Sequence, residues 1–509
     1  MIEVRKMDLN WNCFDNNSFS RDNGRNIPIG AWQIDSTPFF GHDSYYNNSD
    51  IKKIIFNDTL SSNKKYLSFL SDLKDGRIRL NKYIYQKEFP DFTILFCFDS
   101  NAVVALEENE KHLLNIESNV DYCEEELYKL FYLFINGIIV DQSYDEVTKY
   151  ALLRNSSMMI DHNIDSYMVL PTLHCNARCF YCFENNDEKS NMNAETIEQM
   201  GKFIISRSAQ KKVVLRWFGG EPLIREDVID SLSKCLSAHS IDFDAIITTN
   251  GSLITDEIIK KMSNDWHIRK VHLTLDGNEA EHNKRKNYKQ NSINGYRATI
   301  NNINKLLSAG LFVVCRLNLD KNNIACLDEI FNELSVHKKN KRFFVHATTL
   351  YLPKYSSFSG CYTREEYDEV YTYTFNLMRQ YGFIDNIYSV LPDKVVFRCT
   401  SCMRNHYVID PQGNLFKCEQ EEKSAEHTVG NIWEGVKYTR HMGYWLDNNL
   451  HSDCNDCKFI PICQGGCKWR KSIDNDDLTP CVNTRYQMNA ISTFVYDTIK
   501  LGLIHSETL

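Results

Sequence analysis

An α/β fold built on a parallel sheet is what this sequence predicts, and three observations predict it. Six short apolar runs recur from about Ile164 to Thr349, amphipathic helical segments separate them, and cysteines gather in two places. The runs read YMVLPTL, KVVLRWF, DAIITT, VHLTLD, LFVVCRLNL and RFFVHATT. Between them lie AETIEQMGKFIISR, EDVIDSLSKCLSAH, TDEIIKKMS, YRATINNINKLLSAG and LDEIFNELSVHK; the second stacks Val228, Leu232 and Leu236 on one face. Strand–helix repeats in this order imply parallel strands with right-handed crossovers, hence an open or closed barrel. Function in such a fold sits at the C-terminal ends of the strands.

At 509 residues the chain is too long for one ordinary core, so two to four domains are expected. Its 43% hydrophobic and 25% charged content is that of a globular protein. A net charge of -9 argues against a nucleic-acid groove. The opening residues, MIEVRKMDLNWNCFDNN, hold no apolar secretory core, and no stretch approaches a membrane span. No nucleic-acid or membrane partner is therefore expected, and the chain reads as cytoplasmic. Its 18 cysteines are then an anomaly, because a reducing compartment gives them no structural disulfide role. The cluster from Cys399 to Cys481 reads as metal sites, whereas Cys13, Cys97, Cys235 and Cys326 read as small buried hydrophobes.

Residues 1–155 carry no chemical motif. DFTILFCFDSNAVVALEEN predicts two strands about a turn at Asp99-Ser100-Asn101. CEEELYKLFYLFING predicts a helix with Leu127, Leu130, Phe131 and Leu133 at helical spacing, closed by Gly137. Beyond the repeats, TREEYDEVYTYTFNLMRQYG is helical, and the chain is then rich in turns and cysteines until Cys481. Too few apolar residues lie there for a full core, so metal clusters would have to replace it.

The stretch HCNARCFYCFEN spaces its thiols as Cys175-x3-Cys179-x2-Cys182, just past the first apolar run. Three thiolates hold three irons of a [4Fe-4S] cube and leave the fourth iron open. The alternative is a zinc site with His174 as fourth ligand, with Tyr181 merely packing on the barrel wall. Cys-x3-Cys-x-aromatic-Cys after the first strand of a parallel barrel resembles the radical S-adenosylmethionine (radical SAM) enzymes. Further elements follow in register at later strand ends: FGGEP (Phe218 to Pro222), TTNG (Thr248 to Gly251), LTLDG (Leu273 to Gly277) and RLNLDKNN (Arg316 to Asn323). The resemblance implies a partial (β/α)6 TIM-like barrel over residues 160–350, binding SAM at its open iron. One electron would cleave SAM to methionine and a 5′-deoxyadenosyl radical that abstracts a substrate hydrogen. It implies SAM contacts from Tyr181, Gly219, Gly220, Glu221, Pro222, Thr249, Asn250, Thr274, Asp276 and Asn318. Arg297 or Arg316 would supply a cationic contact, and both stay open.

The C-terminal pattern runs Cys402-x10-Gly413-x4-Cys418, then CNDCKFIPICQGGC, with Cys454, Cys457, Cys463 and Cys467, then Cys481. It resembles the SPASM extension of radical SAM enzymes that modify peptides and proteins. IDPQGNLFKC resembles its hairpin, with a Pro-Gln-Gly turn returning Cys418 toward Cys402. A pair of zinc ribbons is the alternative. The resemblance assigns Cys399, Cys402, Cys418 and Cys467 to one auxiliary [4Fe-4S] cluster and Cys454, Cys457, Cys463 and Cys481 to another, three clusters in all. Cys399 departs from the better-known spacing; without it the first auxiliary cluster keeps an open iron.

Glu419 follows Cys418, where sulfatase-maturing relatives carry an acidic base; its alternative role is to tune the neighbouring cluster. The domains expected are therefore an N-terminal α+β peptide-binding region (1–155), the barrel (160–350), a helical connection (351–394), a SPASM domain (395–485) and a C-terminal helix (486–509). The N-terminal region would be an RRE-like clamp for the leader of a precursor peptide, by strand addition. The favoured function is peptide maturation through a thioether or carbon–carbon crosslink, with flavodoxin or ferredoxin as electron donor. A formylglycine-generating sulfatase maturase, a small-molecule oxidoreductase and a non-enzymatic iron–sulfur scaffold are the other readings.

Overall fold

The computed structural model describes residues 2–4 and 64–502, apart from breaks at 118–119, 160–163, 185–189, 209–210, 291–292, 352–357, 385, 396–397 and 475–480. Cys13 lies outside the described residues, as do the residues that a leader clamp would draw from 5–63.

The N-terminal half begins with β1 (Ile2–Val4) and continues with β2 (Ile78–Leu80), β3 (Ile84–Glu88), β4 (Phe92–Cys97), β5 (Ala102–Glu107) and β6 (Ile139–Asp141). One antiparallel sheet runs in the order β1-β5-β4-β3, and β2 pairs with β6. The expected hairpin at Asp99–Asn101 forms, with Asn101 left-handed at φ 59°. The expected helix spans Glu124–Ile135, and Gly137 follows it at φ 69°.

Strands β4 and β5 are buried on both faces. One face packs against Phe69 and Phe131, from helices Lys64–Lys74 and Glu124–Ile135. The other packs against Phe459, Ile460 and Ile462 and against Ile491, Phe494 and Val495 of the helix Met488–Lys500. The N-terminal sheet and the cysteine-rich segment thus share one core.

Strands β7 (Ile164–Val169), β8 (Lys212–Trp217), β9 (Phe243–Thr249), β10 (Ile268–Leu275), β11 (Phe312–Leu319) and β12 (Phe343–Thr349) are all parallel, as the repeats predict. The five predicted helices form at Ala194–Ser208, Glu226–Ala238, Asp256–Asn264, Gly295–Ser308 and Leu327–Leu334. A further helix, Glu279–Lys286, lies between β10 and the fourth of these. Val271, Leu273 and Leu275 of β10 join the core against the helices, while Lys270, His272 and Thr274 alternate to the enclosed face.

The strand β7 ends at Val169, before its apolar run does; Leu170 to His174 then lead into the first cysteine loop. Two strands from the C-terminal part extend the same sheet. β13 (His406–Ile409) pairs parallel to β7, and β14 (Leu415–Phe416) returns antiparallel, giving the order β12-β11-β10-β9-β8-β7-β13-β14. Of the scattered cysteines, Cys97 is buried and Cys235 and Cys326 are partly buried. No helix among the described residues is long and apolar enough to cross a membrane.

Asp99 joins the hairpin turn to its surroundings. Only 3% exposed, it accepts hydrogen bonds from Asn81 Nδ2 (3.1 Å), Tyr144 OH (2.9 Å), Tyr150 OH (3.0 Å) and Lys149 Nζ (2.8 Å). Burial pushes its carboxyl up, but the Lys149 ammonium and these donors outweigh it and hold it below its ordinary value. Asp99→Ala should destabilise the protein by ~3 kcal/mol, because it strands a partly buried lysine and two phenols; denaturant unfolding measures it. The depressed carboxyl stabilises fully above the unfolded value near ~4 and progressively less as pH falls through the folded one, so the gap between wild type and variant should narrow in acid.

Candidate active site at the barrel mouth

The loop after β7 is clamped to the loop after β8. Gly220 N donates to Thr172 O (3.0 Å) and Glu221 N to His174 O (2.9 Å). A Cβ on Gly219 or Gly220 would overlap those same backbone carbonyls, and Gly219 sits at φ 103°. The glycine pair is thus required for close approach to the cysteine loop. From the other side, Asn250 Nδ2 donates to Asn176 Oδ1 (2.8 Å), and Arg178 N donates to Lys286 O (2.8 Å).

Glu221, 1% exposed, begins the short helix Pro222–Arg225 and accepts from Leu223 N (3.2 Å), Thr249 Oγ1 (2.7 Å) and Asn250 N (2.8 Å). Burial keeps its carboxyl above the ordinary value despite these donors. One lone pair of Oε2 stays available to a further cation.

Opposite Glu221 lies a buried charged group. Asp276, at the end of β10, forms an ion pair with Lys286 Nζ (3.0 Å) and accepts from Asn318 Nδ2 (2.9 Å) and from Tyr181 OH of the cysteine loop. Lys286 Nζ also donates to Thr274 Oγ1 (2.8 Å) and Tyr181 OH (3.0 Å). Burial opposes ionisation at both ends. Even so, Lys286 holds the Asp276 carboxyl low, and Asp276 holds the Lys286 ammonium well above its ordinary range.

Burial pushes the Cys175 thiol up to about 11, with Glu221, Cys179 and Cys182 adding to it. Cys179 is raised by burial too, while Lys286 pulls it down. Among the described residues no three His, Cys, Asp or Glu side chains converge on a point that would hold a single metal ion. The donor set fits a cluster, in which each sulfur binds a different iron. Thiols raised by burial and by one another gain a favourable charged state only on a metal. Cys175, Cys179 and Cys182 would hold such a cluster.

The structure brings Tyr181, Thr274, Asp276 and Asn318 into one group and sets Gly219 to Pro222, Thr249 and Asn250 around Glu221. It places the two expected arginines differently. Arg297 is half exposed and bound to Glu279 and Glu333 (2.6 Å each), outside this group, because its helix turns it toward acidic neighbours. Arg316 lies on the enclosed face of β11, its Nε donating to Asn318 Oδ1 (3.0 Å). Lys286 has no signal in the sequence, since EAEHNKRK is polar throughout. Arg216, His272 and His346 share the enclosed face; their period-two positions inside apolar runs were the legible signal.

At the β7 edge, the β13–β14 hairpin places Cys418 and Glu419 beside the barrel. The Arg216 guanidinium is lowered by burial and raised by Glu419 and Cys399, its charged neighbours. Cys402 is pushed up to about 12 by burial and by Cys399; Cys418 is raised by burial, Glu419, Cys399 and Cys467. Cys454 is raised by burial, Cys457 and Cys481, and Cys463 by burial, Cys481 and Cys454. Cys399 is thus a neighbour of Cys402 and Cys418, and Cys481 of Cys454 and Cys463.

The family model for the radical SAM superfamily matches residues 169–334. The chain carries a radical SAM domain. It is homologous to the serine-type anaerobic sulfatase-maturating enzyme of Klebsiella aerogenes, 24% identical over 326 residues, which cover 58% of this chain and 76% of that enzyme. The GTP 3′,8-cyclase of Nautilia profundicola is 33% identical over 129 residues, 24% of this chain and 40% of the cyclase. Among solved structures, native anSMEcpe with bound AdoMet (SAM) superposes with a TM-score of 0.53 at 16% identity, covering 67% of this chain and 100% of that one. That likeness shows the fold of the radical SAM domain; its chemistry here rests on the residues above.

Lys286→Met should leave Asp276 and Tyr181 without their cation and lower SAM affinity by about tenfold or more, with the iron content unchanged. Glu221→Gln should weaken SAM binding likewise. Calorimetric titration of the reconstituted protein checks both; unaltered affinity would reduce these groups to loop supports.

Proposed function

We propose that this radical SAM enzyme is a maturase acting on a ribosomally made peptide, with Cys175, Cys179 and Cys182 holding the SAM-binding cluster. The observation that carries the reading is the β13–β7 pairing, which sets Cys418 and Glu419 against the enclosed face of the barrel that holds Asp276 and Lys286 at its mouth. A substrate in that space meets the cofactor end on one side and a carboxylate on the other. Homology to a sulfatase-maturating enzyme supports a polypeptide substrate, and one anSMEcpe structure of the same fold contains a Kp18Cys peptide.

When bound, the cluster and SAM supply a 5′-deoxyadenosyl radical that takes one hydrogen atom from the substrate. The protein's residues do the rest. Glu221 and Lys286 orient the amino acid end of SAM, Tyr181 fixes the cysteine loop, and the apolar ring of Phe218 helps to keep water out. Glu419 accepts the proton that a substrate thiol or carbon loses as the new thioether or carbon–carbon bond closes, and the one electron released with it would be taken up by an auxiliary cluster. Cys399, Cys402, Cys418 and Cys467 would hold one auxiliary cluster, and Cys454, Cys457, Cys463 and Cys481 the other. A cytoplasmic flavodoxin or ferredoxin suits the electron demand. Formylglycine formation is the second reading, favoured by the 326-residue match.

The N-terminal sheet supports a leader-binding role through its edge strand β3, half exposed along its length. Its other contacts are structural, because both faces of β4 and β5 are covered.

Anaerobic reconstitution should load about twelve irons per chain, and Ala at Cys175, Cys179 and Cys182 should remove about four and abolish SAM cleavage. Zinc bound in preference to iron would overturn the assignment. Glu419→Gln should still transfer deuterium from labelled peptide into 5′-deoxyadenosine yet lose at least about tenfold in product. Normal product yield from that variant would remove its role as base.

A further inference from the structure

The enclosed face of the barrel carries more basic chemistry than the reaction described above uses. Arg216 on β8, His272 on β10, Arg316 on β11 and His346 on β12 all alternate with residues that pack against the outer helices. Arg316 and His346 are directly paired across β11 and β12, so their side chains are neighbours on that face. His406 of β13 lies on the same sheet, fully buried, with its Nδ1 3.0 Å from Ser166 Oγ and its Nε2 without a hydrogen-bond partner. Burial and the surrounding cations push His272 and His346 down to about 3, so both imidazoles stay neutral. The fixed positive charges on this face are the two guanidiniums and the Lys270 ammonium.

Their compensation is unequal. Arg216 has Glu419 among its charged neighbours. Arg316 faces Asp276, but that carboxylate is already committed to Lys286, Tyr181 and Asn318. Among the described residues the one hydrogen bond of Arg316 runs from Nε to Asn318 Oδ1, which leaves both Nη groups without a hydrogen-bond partner on an exposed residue. A guanidinium in an enclosed, imidazole-lined chamber is poised for an anion that binds through two parallel hydrogen bonds.

We propose that this chamber receives the side-chain carboxylate of an aspartate or glutamate in the substrate peptide, held by Arg316 with His346 beside it. The inference rests on the peptide reading and names the substrate chemistry within it. The same guanidinium could be met by one other carboxylate, that of SAM itself, and the experiment separates the two.

Full-length reconstituted protein with SAM is titrated with Ac-Gly-Ala-X-Ala-Gly-NH2, where X is Glu, Gln, Asp or Asn, and with glutarate; saturation-transfer NMR reports binding. One of the acids should bind about tenfold or more tightly than its amide, since an amide leaves the guanidinium poorly paired. Arg316→Met should bring that ratio close to one, and Arg316→Lys should restore part of it. The ratio is the readout, so a change in overall affinity does not confuse it; if Arg316→Met does not fold, the wild-type ratio decides. Equal binding of acid and amide overturns the carboxylate assignment and leaves the peptide reading standing. Glutarate bound with none of the four peptides overturns the peptide reading, and no binding by any probe overturns both. A variant that loses SAM affinity while keeping the acid-to-amide ratio assigns the guanidinium to the cofactor and overturns the proposal.

Discussion

Four residues of parallel pairing, His406–Ile409 of β13 against Ser166–Val169 of β7, hold the two halves of the chemistry together. Without that ladder, the C-terminal cysteines would sit on a loop-rich segment whose own small cluster is built from Cys402, Met403, Cys418 and Trp445. With it, the hairpin becomes part of the barrel sheet, and Cys418 and Glu419 are positioned to within the play of a strand. The hairpin is reinforced from inside. Lys417 is fully buried, donating to Met403 O and His406 O (2.6 Å each), and burial pushes its ammonium down to about 7. A lysine that hydrogen-bonds only to carbonyls, over the Tyr407 ring, is a costly way to hold a turn. It fixes the segment from Cys402 to Cys418.

The same segment is supported from a second direction. Glu421 accepts from Trp445 Nε1 (2.7 Å) and Cys418 N (3.3 Å) and lies 2.6 Å from His441 Nε2. Lys468, next to Cys467, donates to Trp445 O and Asp447 O. Further along, Arg154 of the N-terminal region donates to Asn448 O and Gln464 Oε1, and Lys82 reaches Asn455 O. The cysteine-rich segment is thus held between the barrel and the N-terminal region by polar contacts, where a purely apolar core of this size would not suffice.

How much of this was legible depended on the range of the signal. The six barrel strands and five of their helices follow from apolar periodicity, which is local, and the hairpin at Asp99 follows from turn chemistry. The pairing of β13 with β7 joins positions more than two hundred residues apart; no local pattern encodes it, and IDPQGNLFKC revealed only the hairpin itself. Lys286 was illegible because Glu279–Lys286 has no apolar stripe: the helix is held by a cap at Asn278 and by ions, Arg285 with Asp320 among them. The choice between Arg297 and Arg316 was likewise undecidable, since both are arginines near a strand end. The structure separates them through Glu279 and Glu333, whose carboxylates lie beside Arg297 and occupy it. The resemblance gives Gly219 and Gly220 as SAM contacts, and the space their missing Cβ atoms leave is filled by Thr172 and His174.

That last point changes what the motif does physically. If the glycines serve the cysteine loop, then Glu221 is carried into place by the same two hydrogen bonds that hold His174 and Thr172. The carboxylate and the thiols are therefore one rigid unit: a displacement of the loop would move Glu221 along with Cys175, Cys179 and Cys182. Tyr181 and Lys286 make the corresponding tie to β10, so the loop is fixed on both sides before any cofactor enters. A site assembled in this way keeps its buried charges matched in pairs. Preorganisation at the mouth leaves selectivity to the residues deeper in the barrel.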